Sequence, residues 1–244
     1  MNVKHPSRLL PRLKQQLSKA GHWLVPKQCI VCHKVINERL NLCCNNCYEK
    51  LPFQRHYCQR CGQRLTHNVD FCGKCMANPV SFDACFCPFS YDFPIDQKIR
   101  EFKYGNRPEL AKDLALLFKQ ELLDQEIELP ELLVPVPMHL SRLRQRGFNQ
   151  SLMLTKALSK LLNVPYNNKL VCKKNASQSQ TALSIAARKR NIRGSFKINE
   201  APSVKSIAIV DDVITTGATV EEITKILKQN GVDYVQVWGI AHTI

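Results

Sequence analysis

The most constraining stretch of this chain is Ile207-Ala208-Ile209-Val210-Asp211-Asp212-Val213-Ile214-Thr215-Thr216-Gly217-Ala218-Thr219. Four apolar residues read as a buried strand. Two adjacent carboxylates follow, then a Thr/Gly turn. A helical pattern runs on from there, with Ile223, Ile226 and Leu227 inward and Glu221, Glu222 and Lys225 outward. A buried strand rarely ends in two acids, because a desolvated charge is costly unless partnered. That weighs against an ordinary strand-to-helix corner with polar turn residues. The turn offers backbone N–H groups and Thr hydroxyls to a phosphate, and the helix start adds a positive dipole end. Gly217 lets the backbone approach closely. Asp211 and Asp212 can accept hydrogen bonds from vicinal ribose hydroxyls. The pattern predicts a cradle for a sugar phosphate, with 213–219 on the phosphate.

A chain of 244 residues is long enough for one α/β domain plus a small module, or for two small domains. Its 35 Lys and Arg against 20 Asp and Glu give a formal charge of +15. Such a balance favours polyanionic partners: nucleic acid, phosphorylated substrates or an anionic membrane surface. No apolar run reaches membrane-spanning length. The basic N-terminus lacks an apolar h-region, so no secretory signal is expected.

Of the 12 cysteines, most fall in CxxC pairs in the first third of the chain: Cys29/Cys32, Cys44/Cys47, Cys58/Cys61 and Cys72/Cys75. With no export signal, this pattern reads as metal ligation in a reducing compartment rather than as disulfides. Tetrahedral zinc takes four thiolates, and each CxxC knuckle supplies two. Sequential pairing gives two sites, the second marked by Gly62 after its knuckle. An interleaved arrangement stays open, and Cys43 competes with Cys44. Either way the zinc is structural, one ion or two. Four thiolates leave no open coordination position, and so short a polar segment needs metal to fold.

Residues 1–25 read as a basic amphipathic helix, with Leu9, Leu10, Leu13 and Leu17 at helical spacing. Residues 84–91 alternate as one strand with Cys85, Cys87, Phe89 and Tyr91 on one face, and Pro88 argues for an edge position. Cys85, Cys87 and Cys172 are expected as buried apolar residues. Helices are expected over 95–104, from Pro108 onward with Leu110, Leu114, Leu117 and Phe118 inward, and over 152–162. A buried strand at 132–136 ends in Pro135-Val136-Pro137, which turns the chain at the strand's C-terminal end, where open α/β sheets bind ligands. A last strand covers 234–240.

Residues 132–199 contain no Asp or Glu, while Lys and Arg recur throughout. A solvated face normally mixes signs. This belt is therefore read as an anion-binding surface, with Arg142, Arg144, Arg188, Lys189, Arg190 and Arg193 as candidate nucleic-acid contacts. Within it, 173–180 reads as a polar loop. Its aromatics are few (Phe148, Tyr166 and Phe196), which favours backbone contacts over base stacking.

The chain resembles the ComF family, which includes the GntX-like proteins. The resemblance rests on the double zinc ribbon, Phe102-Lys103-Tyr104, Val134-Pro135-Val136-Pro137, Arg146-Gly147-Phe148-Asn149-Gln150 and the segment from Gln180 to Asn191. It also rests on the 207–219 stretch, which resembles the PRPP-binding motif of type I phosphoribosyltransferases. The resemblance implies a type I phosphoribosyltransferase-like α/β fold: a twisted, mostly parallel sheet flanked by helices, with an N-terminal four-cysteine zinc-ribbon module. The implied organisation is a helix over 1–25, a double zinc ribbon over 26–78 and the phosphoribosyltransferase-like domain over 79–244. The implied site places Pro135, Val136, Pro137 and Arg146 against the pyrophosphate, with Mg²⁺ carried on that pyrophosphate.

The implied role is in natural competence, in a cytoplasmic protein, free or peripheral at the inner membrane. The implied partners are PRPP, single-stranded DNA and competence machinery. Two functional readings stand. In one, the chain binds PRPP and handles transforming single-stranded DNA. In the other, it is an active phosphoribosyltransferase of nucleotide or base metabolism. No acceptor-recognition segment is identifiable in the sequence, so turnover is left open.

Overall fold

The computed structural model describes residues 28–36, 42–174 and 194–243. The expected N-terminal helix, Arg188, Lys189, Arg190 and Arg193 lie outside the described residues. The chain divides into two compact units, one ending at Lys50 and one running from Leu51.

In the first unit, a knuckle closes where the Cys29 amide donates to Lys34 O (2.8 Å) and the His33 amide to Cys29 O (2.9 Å). Cys44 then opens a one-turn helix, α1 (Asn45–Tyr48). The second unit repeats the device. The Cys58 amide donates to Gln63 O and the Gly62 amide to Cys58 O, both at 2.8 Å. Cys72 opens α2 (Gly73–Ala77), and its Sγ accepts from the Cys75 amide. His33 (φ 60°) and Gly62 (φ 74°) hold the same left-handed position in the two knuckles. Only Gly suits the second. A Cβ on Gly62 would stand 2.7 Å from Cys85 Sγ, because this knuckle lies directly on the sheet.

That sheet is five-stranded. Its strands are β1 (Ala84–Phe86), β2 (Phe89–Ser90), β3 (Leu132–Pro135), β6 (Ser206–Ile214) and β7 (Tyr234–His242). The order is β1-β7-β6-β3, with β2 also on β7, and every pairing is parallel. Parallel strands need crossovers, and helices supply them: α3 (Ile95–Tyr104), α4 (Leu110–Asp124), α5 (Leu140–Arg146), α6 (Gln150–Leu162) and α7 (Ala218–Gln229). Ile207 and Ile209 on β6 and Val235 and Val237 on β7 share a core with Val220, Ile223 and Leu227 of α7. On the other layer, Trp238 meets Phe118 of α4 (ring centroids 5.4 Å apart), which meets Phe86 edge-on at 5.1 Å. Burial on both faces explains the unbroken apolar run in β6.

The segment at 84–91 is two strands rather than one, broken at Cys87-Pro88, and both of its faces are buried. Its edge position is as expected. Residues 52–59 cover the outer edge: the Ser90 amide donates to Pro52 O, the Gln54 amide to Pro88 O and the Cys85 amide to Gln59 O. Cys85 and Cys87 are buried, whereas Cys172 is only half-buried and its thiol donates to Asn199 Oδ1 at 3.1 Å. Cys172 sits on β4 (Val171–Lys173), a short strand paired antiparallel with β5 (Phe196–Ile198). Lys173 thus belongs to a strand, not to a polar loop. The basic run before Gly147 forms α5, a helix the sequence pattern does not reveal, because none of its residues is buried.

Candidate functional site

β6 carries the acidic pair at the C-terminal end of the sheet. Asp211 Oδ1 accepts from Ser151 Oγ of α6 at 2.7 Å and from the Asp212 amide at 2.9 Å. Asp212, itself buried, has Oδ1 2.8 Å from Lys103 Nζ on the last turn of α3. The two carboxylates therefore have different partners. Burial among sheet and helix pushes the Asp211 carboxyl up, the adjacent Asp212 charge adds to this, and the Ser151 hydroxyl opposes it; the balance is about 7. Lys103 shares a mostly buried ion pair with Asp212, while the hydroxyl and amide beside Asp211 favour its charged form without outweighing burial.

After Ile214 the chain bends through Thr215 and Thr216 to Gly217, left-handed at φ 69°, and enters α7. Asp211 and residues 213–220 line a small open cleft. The first-turn amides of α7 have no intrahelical acceptor and face the place where an anion gains most from them. The Ala218 amide is met by Thr216 Oγ1 at 3.4 Å. Glu221, the one acid in that turn, is engaged elsewhere: its carboxylate accepts from the Ser81 amide and hydroxyl. Asp212 is outside the cleft lining and faces Lys103.

The Pro135-Val136-Pro137 turn is tied to this site. The Val136 amide donates to Val210 O at 3.0 Å, extending the β3–β6 ladder past Pro135. Asn149, the N-cap of α6, donates from Nδ2 to Val136 O at 3.1 Å. One helix start thus holds the turn through Asn149 and the acidic pair through Ser151. Arg146 is less free than a pyrophosphate ligand would be in an open loop. Its guanidinium lies 5.0 Å over the Tyr104 ring, donates to Tyr104 OH at 3.2 Å and to Gln150 Oε1 at 3.4 Å. Arg142 and Arg144 on α5 are exposed. Burial pulls the Lys173 ammonium down, and the nearby Arg142 charge pulls the same way. Positive charge is concentrated here.

Sequence reasoning gives Ser151 no role, and Lys103 and Asn149 appear only within motifs. Serine and lysine near a helix end carry no periodic signal. Only the tertiary path of α3 and α6 brings them to β6.

The cysteines gather into Cys29/Cys32/Cys44/Cys47 and Cys58/Cys61/Cys72/Cys75, with all four Sγ atoms of each group within 4.8 Å of one another. Cys44, not Cys43, joins the first. Thiolates about 2.3 Å from a tetrahedral zinc stand about 3.8 Å apart. Cys32–Cys44 at 3.8 Å and Cys61–Cys72 at 3.7 Å match that edge, so the donor set fits zinc. Burial works against ionising Cys29 and Cys58, yet knuckle amides outweigh it and bring these thiols to about 6 and about 7.

The double zinc ribbon domain model matches residues 20–76. Competence protein F of Haemophilus influenzae is 33% identical over 222 residues, spanning 88% of this chain and 96% of that protein. The chain belongs to the ComF family. Another relative of this ComF protein, the DNA utilization protein YhgH of Escherichia coli, is 33% identical over 205 residues, or 82% of this chain and 90% of that one. Among solved structures, a purine phosphoribosyltransferase from Pyrococcus horikoshii is 13% identical, with 54% of this chain and 84% of that chain covered at a TM-score of 0.32.

Two outcomes follow from this geometry. With its carboxyl near 7 in the fold and near 3.8 when unfolded, Asp211 holds more protons native than unfolded across that interval. Stability therefore falls as pH rises toward 7 and levels off above it. Asp211→Asn removes this slope; urea unfolding of both proteins at several pH values from about 5 to about 8 measures the difference, and parallel curves would contradict the assignment. Cys58→Ser should lower bound zinc from two per chain to one and make the 58–75 segment protease-sensitive. Metal analysis showing two ions in the variant would refute the ligand set.

Proposed function

We propose that this ComF protein binds PRPP in the β6–α7 cradle and acts in natural competence, handling transforming single-stranded DNA. The observation that carries the reading is the placement of three parts around one helix start. Asn149 fixes the Val136 turn, Ser151 fixes Asp211, and the 213–219 loop opens beside them. In this reading the ribose hydroxyls lie on Asp211 and Asp212. The 5′-phosphate lies on the amides of Thr215 to Thr219 and on the Thr hydroxyls. The diphosphate lies toward Pro135, Val136, Pro137 and Arg146. Mg²⁺ travels on that diphosphate, keeping much of its water shell. If turnover occurs, fixed amides and cations stabilise the charge developing on the departing diphosphate. The names of the relatives, a competence protein and a DNA utilization protein, support the biological half of the reading.

The acid-free belt supports contact with nucleic-acid backbone rather than bases. Phe196 is buried, and Phe148 packs on Phe102 with ring centroids 5.6 Å apart. Arg142 and Arg144 are exposed on a helix that buries none of its own residues. No described helix is long and apolar enough to cross a membrane. We place the protein in the cytoplasm, with any membrane association peripheral and through the competence machinery.

The double substitution Asp211→Asn, Asp212→Asn should abolish PRPP binding by calorimetry while zinc content and the folded state are retained; unchanged binding would sink the site. Pyrophosphate release with a panel of bases separates an enzyme from a binding protein. For DNA, each lost single-strand phosphate contact lowers the slope of log K against log salt by about 0.7. Arg142→Glu with Arg144→Glu should therefore flatten it by about 1.4. An unmoved slope would exclude α5 from the footprint.

A further inference from the structure

We propose that Lys103 is a positioning and selectivity residue of the cradle, one that holds Asp212 and favours ligands carrying a diphosphate at ribose C1 over plain ribose 5-phosphate. The inference rests on the PRPP reading above. It starts from an ion pair that ties α3 to β6. α3 carries the cations Lys98, Arg100 and Lys103. Lys98 pairs with Glu101 and Arg100 with Asp96, both within the helix. Lys103 instead reaches β6 and meets Asp212 at 2.8 Å, with side-chain exposures of 17% and 10%. Desolvating such a pair offsets much of its attraction, so stability alone gives little reason to bury it.

The position of Lys103 gives the reason. The last turn of α3 packs on the end of α5 and the connection to α6: Phe102 meets Phe148, and Tyr104 lies under Arg146. Asn149, in that same connection, holds Val136 O. Lys103 therefore approaches the acidic pair from the side of the Val136 turn, and the 215–219 loop follows the acids on β6 at the cleft. A ribose seated on the acids with its 5′-phosphate in that loop presents C1 toward Lys103. An ammonium has three N–H donors. One serves Asp212, and the others are available to phosphate oxygens. Ribose 5-phosphate brings no anion to this end and leaves them unused.

Calorimetry with PRPP, ribose 5-phosphate and inorganic diphosphate, each with Mg²⁺, tests this on the wild-type, Lys103→Met and Lys103→Arg proteins. The wild-type protein should prefer PRPP to ribose 5-phosphate. Lys103→Met should lose about tenfold or more in affinity for PRPP and for diphosphate, the worth of a charge-assisted hydrogen bond. Its affinity for ribose 5-phosphate should fall by clearly less, because that ligand loses only the hold on Asp212. Lys103→Arg should restore most of the preference. If Lys103→Met lowers the melting temperature or zinc content, Lys103→Gln, which keeps a donor to Asp212 without the charge, replaces it. Equal loss for both sugar phosphates would reduce Lys103 to a structural role and overturn the inference, as would an unchanged preference. A wild-type protein that binds neither sugar phosphate overturns the cradle reading itself and this inference with it, and shows that before any substitution is made.

Discussion

Two carboxylates on consecutive residues at the buried end of a strand cannot both carry charge without outside help. The structure is arranged around supplying that help. Ser151 gives Asp211 a hydroxyl, the backbone gives it the Asp212 amide, and Lys103 gives Asp212 an ammonium. Each donor comes from a different place in the chain. The acidic pair therefore fixes where α3 ends and where α6 begins against β6. Once α6 is fixed, Asn149 at its cap fixes the Val136 turn as well. The site is the electrostatic solution to one awkward dipeptide, extended outward through hydrogen bonds.

The second unit has a different problem at the far side of its sheet. β1 and β2 form an edge, and an open edge invites pairing with another chain. Residues 52–59 cover it with backbone hydrogen bonds, and Gln54 adds a side-chain bond from Nε2 to Cys87 O at 2.9 Å. The covering segment leads straight into the Cys58 knuckle, whose own apolar support is slight: Leu65 and Val80 beside the cysteines. Metal supplies what that core cannot. The second ribbon is thus a structural closure of the sheet, held by zinc at one end and by β1 at the other.

Periodicity and residue type reveal the parts whose physics is local. β6, α7, α4 and the knuckles follow from apolar runs, 3.6-residue spacing and CxxC pairs. The competition between Cys43 and Cys44 resolves only in three dimensions, where the chain after Leu42 turns Cys44 toward Cys29. Cys172 looks like any apolar cysteine, but its strand sits in a small two-stranded sheet outside the main one, where a thiol meets Asn199. α5 is illegible because it has no apolar stripe to read. Lys103 is illegible for another reason: nothing in Phe102-Lys103-Tyr104 distinguishes a lysine aimed at an acid over a hundred residues away from one aimed at water.

The chain's positive charge does not sit in the β6–α7 loop. Residues 213–219 contain no cation, and the groups an anion would meet there are amides, hydroxyls and a helix dipole. These are fixed by the backbone and bring little long-range field, so they discriminate by geometry. The cations lie on α5, at Arg146 and at Lys103, and only the last of these is committed to a carboxylate in the site. Exposed arginines on a helix with no buried face act at a distance and weaken with salt. A mostly buried lysine pair acts only at contact. The proposed reading therefore separates attraction from selection. In it α5 draws polyanions to the surface, whereas Lys103 and the neutral loop decide which small phosphorylated ligand is held within it.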